Sequence, residues 1–464
     1  MRKMRKAVIW ICLAWLGWGC AGVSEPPGSG STAATNPFSR TFTPDKEDTG
    51  YLNLRGVEIE MTLEARVAWD QPNKLYAPAL LAQYGMTALR KTHYVYLEMV
   101  TEDVLSLDRV EWKVNGEWLP QAFAAQLNPA ALSHFRIRGV NAVTLNGDAD
   151  RVKPGGQYRA LIPWNPLLNL PLVQSSCADP EPTLELDSST YWYAWNPYKF
   201  GCKVPSQIMT LTVDTLRPAP SATYPEYDRL WADSVLTAAV FFGQTGKDDA
   251  IASNVSWKTV DQFVRWLESA GFTRERSTRL GIRMVKQQTR RQTVVDVYGP
   301  DVFHDLTDFD RFYNWQQAIY QHEVIIYNGH SVLGSGFAFE QVRYPDFYQI
   351  FLVASCLSYE YYVQPILAGK GDWSLVDVLT SVEPTHFEEA LPLTGAVLAG
   401  LVWGFEHEGT LSWQDILAGV QQQLGHPFIG ASGVRGNRFH PRLPLHETDR
   451  TATETGPCFS HCYL

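Results

Sequence analysis

Val324 to Gly336 reads VIIYNGHSVLGSG, and its first eight residues decide the fold. Val324, Ile325, Ile326 and Tyr327 form an unbroken apolar run with no polar alternation. Such a run predicts a strand covered on both faces, ended by the tight turn at Asn328-Gly329. The same signature recurs in SVLTAAVFFG from Ser234, TVVDVYG from Thr293, YQIFLVASC from Tyr348 to Cys356, and LVDVLTSV from Leu375.

Helical patterns lie between these runs. Trp257, Val260, Phe263, Val264 and Leu267 recur at helical spacing, with Gly271 as the stop. Phe309, Phe312, Trp315, Ile319 and Tyr320 predict a second helix. His386 to Phe405 and Trp413 to Leu424 predict two more, the last opened by Ser412 with Asp415 three residues on. Strands alternating with helices imply a mostly parallel sheet with helices on both faces. Residues 231–435 are thus expected to form a three-layer α/β/α domain.

Residues 51–216 read differently. GVEIEMTLEARVAW, HYVYLEMV, RVEWKV, HFRIRGV and QIMTLTVDTL alternate, and Asn115-Gly116 and Asn146-Gly147 supply turns. About seven short strands without a helix predict a β-sandwich, Ig-like in the broad sense. The cluster Tyr191-Trp192-Tyr193-Ala194-Trp195 is read as packing rather than as a binding platform. Residues 217–230 are a Pro-rich linker and 436–464 a C-terminal tail. The fold class expected is therefore multidomain, β followed by α/β.

The start of the chain carries an address. MRKMRK followed by AVIWICLAWLGWG is a basic segment and a short apolar core, a secretory signal peptide over residues 1–19. Gly17 and Gly19 before Cys20 resemble a bacterial lipobox, with Leu16 one place early and Trp18 bulky. The resemblance implies lipidation of Cys20, anchoring without a membrane span. An ordinary cleaved signal peptide is the alternative. Residues 20–50, rich in Gly, Pro, Ser and Thr, read as a flexible linker. The expected location is the cell envelope, at the outer membrane or cell surface rather than the inner membrane. Removing residues 1–19 takes away Arg2, Lys3, Arg5 and Lys6, which leaves 35 of 39 basic residues against 49 acidic ones, a balance of −14. That balance argues against nucleic acid as a partner.

Seven cysteines are present. Cys12 leaves with the signal peptide, and Cys20 takes the lipid. Exported proteins usually pair their cysteines, so Cys177 with Cys202 and Cys458 with Cys462 are the candidate disulfides. Cys356 is left over, a thiol to be examined for reactivity.

Two residues carry the chemistry. His330 follows one apolar strand, and Cys356 follows the next, 26 positions later. If the strands are adjacent and parallel, both side chains emerge at one sheet edge, and the intervening stretch is long enough for a crossover. A thiol beside an imidazole is a nucleophile with its acid/base. Gly329-His330-Ser331 also approaches the G-x-S-x-G elbow, but Leu333 stands where that motif needs Gly.

In caspase-like cysteine peptidases (caspases, legumain, gingipains, clostripain) an apolar strand precedes a His-Gly, and a second precedes an Ala-Cys or similar block. Residues 230 to 430 resemble that group in the order of elements and in the blocks Gly329-His330-Ser331 and Ala354-Ser355-Cys356. The resemblance implies a caspase-like fold, Cys356 as nucleophile and His330 as acid/base. It implies a peptide or protein substrate and neither a metal nor an organic cofactor. In the family a Gly follows the His, and its N–H commonly supports the oxyanion. Here Ser331 follows and Gly329 precedes, so these two are the expected oxyanion support. The competing expectation is a non-catalytic surface lipoprotein, an adhesion or assembly module on a degenerate peptidase fold.

Other clusters read as structural. Arg274, Arg276, Arg279, Arg283, Lys286, Arg290 and Arg291 form a basic run, read as a solvated face. Glu406-His407-Glu408 lacks metal-ligand spacing. Cys458, His461 and Cys462 are read as a disulfide-bearing tail rather than a metal site. Asp248 and Asp249 follow the first core strand without an assigned role.

Overall fold

Ile59, Met61, Leu63 and Ala65 alternate with Glu60, Thr62 and Glu64, the period of a strand with one covered face. In the computed structural model of the chain, Val57–Arg66 is that strand, and its four apolar side chains are buried. The structure describes residues 50–70, 73–98, 109–168, 176–179, 192–244, 249–275, 281–332 and 337–441. The signal peptide, Cys20, the linker before residue 50, Tyr191, Asp248, Arg276, Arg279, Cys458, His461 and Cys462 lie outside the described residues.

The first elements are β1 (Tyr51–Leu52), β2 (Val57–Arg66), α1 (Ala77–Arg90), β3 (Val95–Leu97), β4 (Val110–Val114), β5 (Glu117–Pro120), β6 (His134–Thr144), β7 (Gln157–Pro163) and β8 (Ser206–Leu216). Strands β2 to β8 form one antiparallel sheet in the order β5-β4-β6-β2-β8-β7, with β3 also on β6. Two features correct the sequence reading. The seven strands are hydrogen-bonded into one sheet, and a fourteen-residue helix, α1, accompanies them. Almost every position of this helix from Ala77 to Leu89 is buried, so no polar stripe in the sequence marks its period. It lies so close to β8 that a Cβ on Gly85 would stand 2.7 Å from Met209 Sδ.

The second group is β9 (Val235–Phe242), α2 (Asp249–Ser269), β10 (Thr273–Arg274), β11 (Ile282–Gln287), β12 (Gln292–Tyr298), α3 (Phe312–Gln321), β13 (Val324–Asn328), β14 (Gln349–Ala354), α4 (Ser358–Lys370), β15 (Val376–Ser381), α5 (Ala390–Glu406), α6 (Trp413–Leu424) and β16 (Ile429–Ser432). They build a nine-stranded sheet in the order β1-β16-β15-β14-β13-β9-β12-β11-β10. The five strands β12, β9, β13, β14 and β15 are mutually parallel, and the outer strands are antiparallel. The fold is thus mixed α/β with two large sheets. Strand β1, expected with the N-terminal strands, instead pairs with β16 at the edge of the larger sheet.

The parallel strands show why their sequences are apolar throughout. Ile325, Tyr327, Phe351 and Val353 enter one core, and Val324, Ile326, Ile350 and Leu352 enter another on the opposite face. The first core continues into α3, α4, α1 and the smaller sheet, and the second contains α2, α5 and α6. The N-terminal sheet and one face of the larger sheet therefore share a single core. Helix α3 buries Trp315 and Ile319, but Phe309 and Tyr320 are exposed.

Helix α6 begins as its sequence predicts. Ser412 Oγ accepts the Asp415 N–H at 3.1 Å, and Asp415 Oδ2 accepts the Ser412 N–H at 3.0 Å. Ser412→Ala is expected to lower stability by about 1 kcal/mol, read as a lower urea midpoint at unchanged slope. An unmoved midpoint would contradict the cap's contribution.

Candidate functional site

Strands β13 and β14 are adjacent and parallel, with Asn328 opposite Ala354. Two residues beyond that pair, the chain reaches His330 on one strand and Cys356 on the other. Both lie at the carboxyl edge of the sheet, and both are partly exposed. That edge is also formed by the turns after β9, β12 and β15. They are knit together by Gly243 N–H to Asn328 O at 2.8 Å and Gln244 N–H to His304 O at 2.9 Å.

The turn after β13 is held from below. The Tyr327 ring folds back beneath it, and its hydroxyl donates to His330 O at 3.1 Å. A Cβ at position 329 would meet that ring at 2.5 to 2.7 Å, which is why glycine stands there. Tyr362, from α4, donates its hydroxyl to Ser331 O. Burial pushes the Tyr327 and Tyr362 hydroxyls well above the ordinary tyrosine value, so both remain protonated donors. Asn328 fastens the strand end sideways, donating to Phe241 O at 3.2 Å and accepting from Thr394 Oγ1 at 2.9 Å.

The turn after β14 is equally fixed. Thr385 Oγ1 donates to Ser355 O at 3.3 Å, and the Cys356 Sγ–H points to Thr385 O at 3.7 Å. The thiol is unbridged. Leu357 takes a left-handed conformation at φ +54, which swings the chain directly into α4. Tyr362 is near enough that a thiolate at Cys356 would raise its hydroxyl further, so the nucleophile candidate, Tyr362 and the His330-Ser331 turn form one neighbourhood. Of the two residues expected to support an oxyanion, Gly329 uses its N–H on Ala354 O at 3.4 Å. Ser331, the other of the two, is buried, with its carbonyl held by Tyr362.

The sequence did not single out Tyr327, Tyr362, Thr385 or Leu357. The run Ser358-Tyr359-Glu360-Tyr361-Tyr362 after Cys356 was the available signal: three tyrosines around a glutamate beside the candidate nucleophile. Thr385 comes from another strand end and left none.

The other clusters resolve into structure. Cys177 and Cys202 form a disulfide. Trp192 and Trp195 are buried, and Trp195 Nε1 donates to Leu161 O at 2.8 Å. The basic run is paired over much of its length: Arg283 with Asp296 at 2.7 Å, Lys286 with Glu406 at 3.0 Å, and Arg291 with Glu408 at 3.1 Å. Those pairs also absorb two of the residues in Glu406-His407-Glu408. Burial raises the Asp296 carboxyl, but the hydrogen bonds from Arg283 and His322 outweigh it and hold the group at about 2. His322 precedes β13, so that pair lies at the opposite end of the sheet from Cys356. Among the described residues no group of three His, Cys, Asp or Glu side chains is placed to hold a metal ion. No helix among them is long and apolar enough to cross a membrane. No protein-family model, no curated protein and no solved structure matches the chain.

Proposed function

We propose that this chain is an exported cysteine endopeptidase of the caspase-like kind, tethered to a membrane through lipid on Cys20. The observation that carries the reading is the parallel register of β13 and β14, which sends His330 and Cys356 out of neighbouring strands at equivalent positions. The strand order β12-β9-β13-β14-β15 supports it: this is a doubly wound order, in which ligands sit beyond the carboxyl ends of the strands. The N-terminal sheet, expected to be Ig-like, serves in this reading as the support for one face of the peptidase.

The chemistry follows from the two groups. His330 takes the thiol proton, and the Cys356 sulfur attacks the peptide carbonyl carbon, forming a C–S bond and an oxyanion. The Ser331 N–H stabilises that oxyanion. Collapse breaks the C–N bond, and His330 protonates the leaving amine. Water, deprotonated by His330, then cleaves the thioester, releasing the acid and restoring the thiol.

The test is labelling of the purified chain without its lipid anchor, residues 21–464, with a library of peptidyl electrophiles at neutral pH, adducts being mapped by mass spectrometry. Rapid labelling confined to Cys356 is expected. A Cys356 that labels only after denaturation would favour the non-catalytic surface lipoprotein.

A further inference from the structure

Leu357, directly after Cys356, holds a left-handed backbone that is costly for a residue with a bulky side chain. Such conformations persist only where the surroundings over-determine them, and they gather at functional sites. The loop after β15 supplies part of the hold. Leu357 N–H donates to Glu383 O at 3.3 Å, and Ser381 N–H to Ser358 Oγ at 2.8 Å.

The N-terminal region supplies the rest. From β3, Tyr96 donates its hydroxyl to Glu383 Oε1 at 2.5 Å. Glu98, just beyond β3, accepts from Gln364 Nε2 of α4 at 3.1 Å. From the last turn of α1, Arg90 Nη1 lies 3.3 Å from Glu360 Oε2 in the first turn of α4. Glu360 is completely buried, and neither of its oxygens accepts a hydrogen bond among the described residues. A buried carboxylate without hydrogen bonds is a poor way to stabilise a fold, and an apolar side chain would pack there at lower cost. The arrangement fixes position instead: one guanidinium from the first half of the chain anchors the helix that starts two residues after Cys356.

We propose that Arg90 is a positioning residue for Cys356, acting through Glu360, while Tyr96 holds Glu383 on the other side of the same turn. The inference rests on the peptidase reading for its consequence, but its geometry can be tested without it. The N-terminal region is then part of the catalytic apparatus rather than an appended module. The groups around the guanidinium are Glu360, Glu383, Tyr361 and Tyr193.

The experiment compares wild type, Arg90→Met, Arg90→Lys and the double variant Arg90→Met with Glu360→Gln in the full mature chain. The double variant removes both buried charges, so it folds even if Arg90→Met does not. Val420→Ala, on the buried face of α6, is the control for simple destabilisation. Two quantities are read: the rate of Cys356 alkylation by iodoacetamide across pH, and amide exchange at residues 355–358. Arg90→Met and the double variant are expected to slow alkylation about tenfold or more, change its pH profile and speed exchange. Arg90→Lys recovers part of the rate, and Val420→Ala changes neither readout. Unchanged exchange and alkylation in the Arg90 variants, or equal changes in Val420→Ala, would overturn the proposal. If native wild-type Cys356 does not alkylate, the peptidase reading fails while amide exchange still decides the positioning role.

Discussion

His330→Ala is expected to lower the acylation rate of Cys356 by about 10²- to 10⁴-fold, the usual contribution of a positioned acid/base. Cys356→Ala abolishes turnover, because Cys356 carries the one unbridged thiol among the described residues. Stability should hardly move in the His330 variant. The side chain is partly exposed, and the turn is held through backbone atoms: Tyr327 on the His330 carbonyl and Tyr362 on the Ser331 carbonyl. Substitutions of that kind usually stay within about 0.5 kcal/mol. The checks are kcat/KM on a fluorogenic peptide pool, single-turnover acylation and urea midpoints for both variants. An His330→Ala enzyme that acylates within roughly threefold of wild type would remove His330 from the mechanism.

That prediction was within reach of the sequence alone, because the residues that place His330 and Cys356 are local. VIIYN and QIFLVA are apolar at consecutive positions because each face of the parallel sheet enters its own core, and such runs announce themselves. What was hidden had long-range causes. Strand β11, IRMVKQ, carries two cations, Arg283 and Lys286, that look like a solvated face until Asp296 and Glu406 arrive from elsewhere to pair them. Helix α4 contains Pro365 and buries Glu360 and Lys370, so neither its composition nor its period reads as a covered helix. Helix α1 is apolar all round because it lies inside the shared core. The strand ends could be placed from the sequence, but the groups that lock them could not: Gln364 meets Glu98 across 266 positions.

Glu360→Gln is expected to match wild type near pH 4 and to exceed it in stability above pH 7, by an amount on the order of 3 kcal/mol. Burial raises the Glu360 carboxyl to about 7; Arg90 lowers it only in part, and Glu383 adds to the rise. An ordinary glutamate in the unfolded chain titrates near about 4.3. Between those values the folded chain keeps a proton that the unfolded chain has lost, so unfolding becomes easier as pH rises. Glutamine carries no such step, and wild type minus variant isolates it from the other shifted groups. Those include Lys370, which burial lowers to about 7, and Asp296, held at about 2. The measurement is a set of urea midpoints for both proteins from pH 4 to 8.5. A gap that stays constant across that range would mean that Glu360 does not titrate as its burial demands. A gap that opens in the variant's favour would show that the charge costs stability at the pH where the thiol must work. Its retention there then needs a cause other than folding, and the cause this geometry offers is the hold on the turn that carries Cys356.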